Sequence, residues 1–214
     1  MTAATANPAT AADPENTAYI KLSTGGTITW EFLPDIAPDH VARIKQLARD
    51  GFYNGIVFHR VIDGFMAQTG DPTGTGMGGS DLPDLNAEFS DYAYKRGTVG
   101  MARTQDPNSA NSQFFICFTD SGCGFLTGQY TVFAQVTEGM EEVDKIARGE
   151  PPASPDKIES FTIASDLKPA GEAAPSEAAE EVPTEKTAPA EAEEEAPAED
   201  ASSEHTSEEE TKAE

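Results

Sequence analysis

The sequence predicts a mainly β fold: a closed eight-stranded antiparallel barrel capped by two α-helices, with a disordered acidic C-terminal tail. Three observations lead there. Eight short runs rich in β-branched and aromatic residues recur between turn signals, two further stretches carry helical periodicity, and the composition changes abruptly at Pro169. The chain is therefore divided into a flexible N-terminal segment (residues 1–16), a folded domain (17–168) and a Glu/Ala/Pro-rich tail (169–214).

Residues 1–16 contain no basic start and no apolar centre, so they read as neither signal peptide nor anchor. The strand-like runs are Tyr19 to Leu22, Thr27 to Phe32, Ile56 to Ile62, Phe65 to Gln68, Thr98 to Ala102, Gln113 to Phe118, Tyr130 to Val136 and Ile158 to Ile163. The first helix, Pro38 to Asp50, opens on Pro and Asp, aligns Val41, Ile44, Leu47 and Ala48, and stops at Gly51. The second, Met140 to Ala147, is closed by Gly149 and the pair Pro151-Pro152. Two amphipathic helices suit the open ends of a barrel.

Residues 169–214 carry 16 acidic side chains against 2 lysines, with Val182 the only large aliphatic residue and no aromatic one. Such a segment cannot bury enough apolar surface to offset the entropy of ordering it. The preceding 168 residues are also acidic, with 22 Asp and Glu against 12 Lys and Arg. That balance opposes nucleic-acid binding, which depends on cations neutralising phosphates. No run of 18 apolar residues exists, so no transmembrane helix and no membrane partner are expected. Cys117 and Cys123, outside any CxxC spacing, read as free and inert thiols in a reducing compartment, which makes a cytoplasmic location the simplest expectation.

The stretch FHRVIDGFMAQTGD, Phe58 to Asp71, places one arginine in an apolar, strand-like run that turns back at Asp63-Gly64. In a hairpin Arg60, Phe65, Met66 and Gln68 lie close together. Burying a guanidinium there is costly unless something requires it. An edge strand whose arginine stem covers apolar surface while its head reaches water is the plainer alternative. A second unusual segment runs from Asp106 through Asn108, Ser109, Ala110 and Asn111 into the aromatic strand at Gln113. There Gln113, Phe115 and Cys117 share one face while Phe114, Ile116 and Phe118 share the other.

Other chemistries find little support. Gly74 to Gly79 satisfies GxGxxG, but Ser80-Asp81-Leu82-Pro83-Asp84 follows where a dinucleotide site needs a helix. His40, His59 and His205 have no ligand spacing, so neither metal nor cofactor is expected, and no GxSxG elbow is present.

In these two segments the chain resembles the cyclophilin family of peptidyl-prolyl cis-trans isomerases, most closely small single-domain bacterial members. FHRVIDGFMAQTGD resembles the signature around the family's catalytic arginine and NSANSQFFICF its second signature. The similarity extends in order from about Tyr19 to Leu167 through GTGMGGSDLPDLNAEF, RGTVGMAR and QYTVFAQVTEGMEEVDKI. It implies that Arg60 is catalytic with Phe65 and Gln68. Met66, Phe115 and Leu126 would line a proline pocket. Ala102, Asn111, Gln113, Phe125 and Tyr130 would complete the peptide groove, with Asn108 to Asn111 as its polar rim.

Phe125 and Tyr130 stand where eukaryotic members commonly carry tryptophan and histidine, so weak cyclosporin binding is expected. Arg103 and an extra residue near Asp106 alter the rim. The expected partners are proline-containing peptides and unfolded chains, and the expected state is a monomer. Competing expectations are a non-catalytic, chaperone-like proline-peptide module, and an interaction protein acting through its acidic tail.

Overall fold

Along β1 (Thr17–Leu22) and β2 (Thr27–Phe32) buried and exposed side chains alternate, which turns one face of the sheet inward. The computed structural model describes residues 12–167; the acidic tail expected at 169–214, and residues 1–11 of the expected N-terminal segment, lie outside them. The remaining strands are β3 (Arg60–Ile62), β4 (Met66–Thr69), β5 (Thr98–Met101), β6 (Phe114–Cys117), β7 (Val132–Glu138) and β8 (Ile158–Ile163). All neighbours pair antiparallel, in the order β3-β4-β6-β5-β7-β2-β1-β8.

The sheet curls into a half-barrel. The ladder between β3 and β8 that full closure requires is replaced by an isolated Val57–Lys157 bridge ahead of both strands. β3 is only three residues long, and on its outer side Val61 exchanges both backbone hydrogen bonds with Gly149, at 2.8 and 2.9 Å.

Trp30 sits fully buried at the centre of the core, meeting Phe32, Phe114, Phe133 and Phe161 edge-on at centroid separations of 5.0 to 5.8 Å. Helix α1 (Pro38–Arg49) covers this core with Val41, Ile44, Leu47 and Ala48. Its N-cap, Ala37, offers no side-chain acceptor; the Glu88 carboxylate substitutes, accepting from the backbone N–H groups of Asp39 and His40 at 3.2 and 3.1 Å. The second expected helix is shorter than its sequence pattern, α3 (Met140–Asp144), and a further turn, α2 (Asp120–Cys123), follows β6.

One sequence expectation fails. Cys117 and Cys123 are not free thiols but form a disulfide. Thr119 caps α2 by accepting from the Gly122 N–H at 3.0 Å, and the chain folds back over the end of β6, bringing the two Cα atoms to 6.1 Å. The inference from unpaired thiols to a reducing compartment loses its premise.

Candidate functional site

Register assembles the site. Arg60 pairs with Gln68 across β3–β4, Gln68 with Phe115 across β4–β6, and Phe115 with Gly100 across β6–β5. Directly paired residues project to the same face, so a cation, an amide and an aromatic ring stand in one row. The next row, Ile62–Met66–Cys117, adds Met66 on the same face. The alternation read from the sequence holds: Phe115 and Cys117 join a small cluster with Met66, Leu126 and Val132, while Phe114, Ile116 and Phe118 enter the main core.

Gly100 ends the row without a side chain for a packing reason. A Cβ there would lie 2.0 Å from the Tyr94 hydroxyl oxygen and 2.7 Å from Phe115. Tyr94 fills that space, stacks on Phe115 at 5.8 Å and donates to the Thr131 carbonyl at 3.2 Å. Phe115 is thereby fixed from behind.

The Arg60 guanidinium is neither buried nor free. Its Nε donates to a Glu150 carboxylate oxygen at 2.7 Å, its Nη1 reaches Gln68 Oε1 at 3.5 Å, and its side chain is 42% exposed. Gln68 Nε2 donates to Gln113 Oε1 at 2.9 Å, and Gln113 Nε2 donates to the carbonyls of Gly76 and Gly78 at 3.0 and 2.7 Å. Each amide is thus oriented by its neighbours. Both readings of Arg60 from sequence apply in part: β3 is an edge strand with a half-exposed arginine head, and that head is held by specific partners.

Two adjoining cavities open on this row. The smaller, about 120 Å³, is lined by Arg60, Phe65, Met66, Gln68, Ala102, Arg103, Phe115, Leu126 and Tyr130. It is sized for a single small side chain, well below a drug-sized ligand site. The larger, about 330 Å³, is lined mainly by polar side chains and glycines, among them Gly76 to Ser80, Asp84, Asn111 and Gln113, and shares Gln68, Ala102 and Arg103 with the first.

Phe125 lies beside the smaller cavity, 62% exposed, with its ring centroid 5.7 Å from that of Phe65. Asn111 faces the larger one, but its amide is fully used: Oδ1 accepts from the backbone N–H and hydroxyl of Ser80, and Nδ2 donates to Leu82 O and Asp84 Oδ1. It staples the far wall.

Three contributors have roles that a reading of the sequence does not assign, although Arg103 is expected from it to alter the rim. Glu150 lies 90 residues from Arg60. Arg103 spans both cavities, with its guanidinium 4.3 Å from the Tyr130 ring centroid. Asp71 sits behind the glycine loop, where its carboxylate accepts from the backbone N–H groups of Thr73, Thr75, Gly76 and Gly78 at 2.6 to 3.1 Å. Burial pushes the Asp71 carboxyl up, but these bonds and the Thr73 hydroxyl outweigh it and hold it well below the usual carboxylate range. Gly78 permits the approach, since a Cβ would lie 2.2 Å from Asp71 Oδ1. The GxGxxG spacing is therefore a nest for the protein's own anion, not for a phosphate.

Comparison with known proteins bears on this geometry. Residues 19–163 match the family described as cyclophilin type peptidyl-prolyl cis-trans isomerase. A probable peptidyl-prolyl cis-trans isomerase of Brucella abortus is 54% identical over 176 residues, spanning 75% of this chain and 88% of the relative. Peptidyl-prolyl cis-trans isomerase B of Bacillus subtilis is 38% identical over 135 residues, spanning 63% of this chain and 92% of the relative. Among solved structures, a cyclophilin from Hirschia baltica superposes with a TM-score of 0.65 at 31% identity, covering 73% of this chain and 77% of its own. A cyclophilin-type isomerase of Cryptosporidium parvum, crystallised in the presence of the dipeptide Ala-Pro, gives a TM-score of 0.63 at 28% identity, covering 69% and 98%.

Proposed function

Because this chain belongs to the cyclophilin-type peptidyl-prolyl cis-trans isomerase family, we propose that its smaller cavity holds the proline ring of an X-Pro peptide while Arg60 lowers the barrier to rotation of that bond. The observation that carries this reading is the cross-strand row Arg60–Gln68–Phe115, which sets a fixed cation on the rim of a cavity walled by Phe65, Met66, Phe115 and Leu126.

Rotation about X-Pro must pass a barrier of roughly 18–20 kcal/mol because amide resonance is lost at the twisted geometry. Uncatalysed, it takes about tens to hundreds of seconds. A rate gain of roughly 10⁴ to 10⁵ requires about 5.5 to 7 kcal/mol of stabilisation specific to the twisted state. As conjugation is lost the prolyl nitrogen becomes pyramidal and more basic, and a guanidinium N–H can donate to it. The planar amide offers that nitrogen lone pair far less, so the bond is stronger in the transition state than in either ground state. No covalent bond to the protein forms and no proton is transferred.

Arg60 suits the task because it stays charged and its remaining donors keep a fixed direction once Glu150 holds Nε. Phe65, Met66, Phe115 and Leu126 grip the ring, and Gln68 with neighbouring backbone holds one peptide segment, so rotation proceeds against a fixed frame. Proline-containing peptides and unfolded chains are the substrates of this reading, and the protein acts as a monomer.

The test is a protease-coupled isomerisation assay on an Ala-Pro peptide. Arg60→Ala should lower kcat/KM at least tenfold, with a circular dichroism spectrum unchanged from wild type. Near-normal turnover in that variant would remove Arg60 from the mechanism.

A further inference from the structure

We infer that Arg103 selects the charge of the substrate, favouring X-Pro peptides that carry a carboxylate side chain on the flank crossing the polar cavity. The inference rests on the isomerase reading above and names the substrate class of that same site.

Gln68, Ala102 and Arg103 are the residues common to both cavities. A peptide whose proline occupies the smaller cavity must pass them to place a flank in the larger one, and Arg103 is the charged member of the three. Its guanidinium is fixed from behind. Nη1 donates to Thr104 O at 2.8 Å, Nη2 donates to Gln129 O at 3.0 Å, and the group stands over the Tyr130 ring. Carbonyls and a π-face orient a cation without neutralising it.

The contrast with other arginines is direct. Arg49, Arg60, Arg96 and Arg148 each pair with a carboxylate, whereas among the described residues no ion pair involves Arg103 or Arg43, and Arg43, which donates to Pro83 O, lines neither cavity. The opposing charge in the polar cavity is Asp84, and its Oδ1 is engaged by Asn111 Nδ2 at 3.0 Å. Arg60, the other cation of the groove, is matched by Glu150. Arg103 is thus the cation of the groove with no direct carboxylate partner, with Asp84 as the other charged side chain of the larger cavity, in a chain whose first 168 residues carry 22 acidic and 12 basic side chains. An acidic surface at large repels acidic peptides, so any preference for them must come from a local contact such as this one. A charge-assisted hydrogen bond at a half-open site corresponds to a preference of roughly three- to tenfold.

Exchange NMR on the full chain tests this, because it places no sequence demand on the peptide. Two series are compared, with Glu, Gln or Lys placed two residues before or two residues after the proline. In one series wild type should turn over the Glu peptide about fivefold or more faster than the Lys peptide, a ratio that shrinks as salt screens the contact. Arg103→Gln should bring that ratio near one and Arg103→Glu should invert it. A flat wild-type ratio in both series, a ratio indifferent to salt, or an unchanged ratio in both variants overturns charge selection. If wild type turns over the Gln peptides but shows no ratio, charge selection alone falls. If it turns over none, the isomerase reading falls with it.

Discussion

Glu150 and Arg60 form an ion pair of 2.7 Å at the rim of the smaller cavity, although 90 residues separate them. The pairing follows from backbone geometry: the hydrogen bonds exchanged by Val61 and Gly149 set the residue after Gly149 opposite the residue before Val61. Both side chains are about half exposed.

Glu150→Gln should therefore cost little stability, about 0–1 kcal/mol, because exposed pairs are weak. Its effect should fall on catalysis, since an unanchored guanidinium samples more directions. The expected outcome is a several-fold lower kcat with KM nearly unchanged, read by the coupled assay, and an unfolding midpoint close to wild type.

Asp71→Asn should loosen the Thr73–Gly78 loop. Four backbone N–H groups lose their anion and the new amide presents donors toward donors. A loss of about 1–3 kcal/mol is expected, measured by urea denaturation. Because the folded carboxyl titrates below the ordinary value, its contribution is present above that value and is lost as pH falls below it. The wild-type protein should weaken below about pH 4, and the variant should lose that part of the pH dependence.

His40 and His59 should destabilise the fold in mild acid. Burial lowers the pKa of both from the ordinary 6.5, in His40 despite the 2.6 Å contact of Nδ1 with Glu88. The unfolded chain then binds more protons than the folded one, so the stability they contribute is complete above about pH 6.5 and declines as pH drops below it. Melting curves from pH 7.5 to 5 should show a falling midpoint, and His59→Gln should flatten part of that slope.

Phe125→Trp should raise affinity for cyclosporin. The wild-type ring is 62% exposed and offers no N–H, whereas an indole at this place would add a donor beside the cavity. Titration calorimetry should find weak binding in wild type and at least severalfold tighter binding in the variant; equal affinities would show that the missing donor is not the cause.

Arg60, Phe65, Met66, Gln68 and Phe115 were legible because the hairpin and strand that carry them are local. A turn at Asp63-Gly64 and a period of two fix which residues share a face, whatever the rest of the chain does. Asn111 was legible as a residue of the site but not in its role, since its amide partners Ser80, Leu82 and Asp84 lie about 30 residues away. The disulfide was missed for a related reason. A spacing of six is silent on whether the chain after β6 runs onward or folds back, and the Thr119 cap decides that.

By itself the sequence determined the β architecture, the first helix, and the hairpin with its arginine, because strand alternation, helical periodicity and turn chemistry act over a few residues. Only the tertiary structure decided what that arginine meets. Sheet order placed Phe115 beside Gln68, a bridge at the sheet edge delivered Glu150, and the glycine loop closed on Asp71. Those outcomes depend on long-range register, which short-range propensity does not encode.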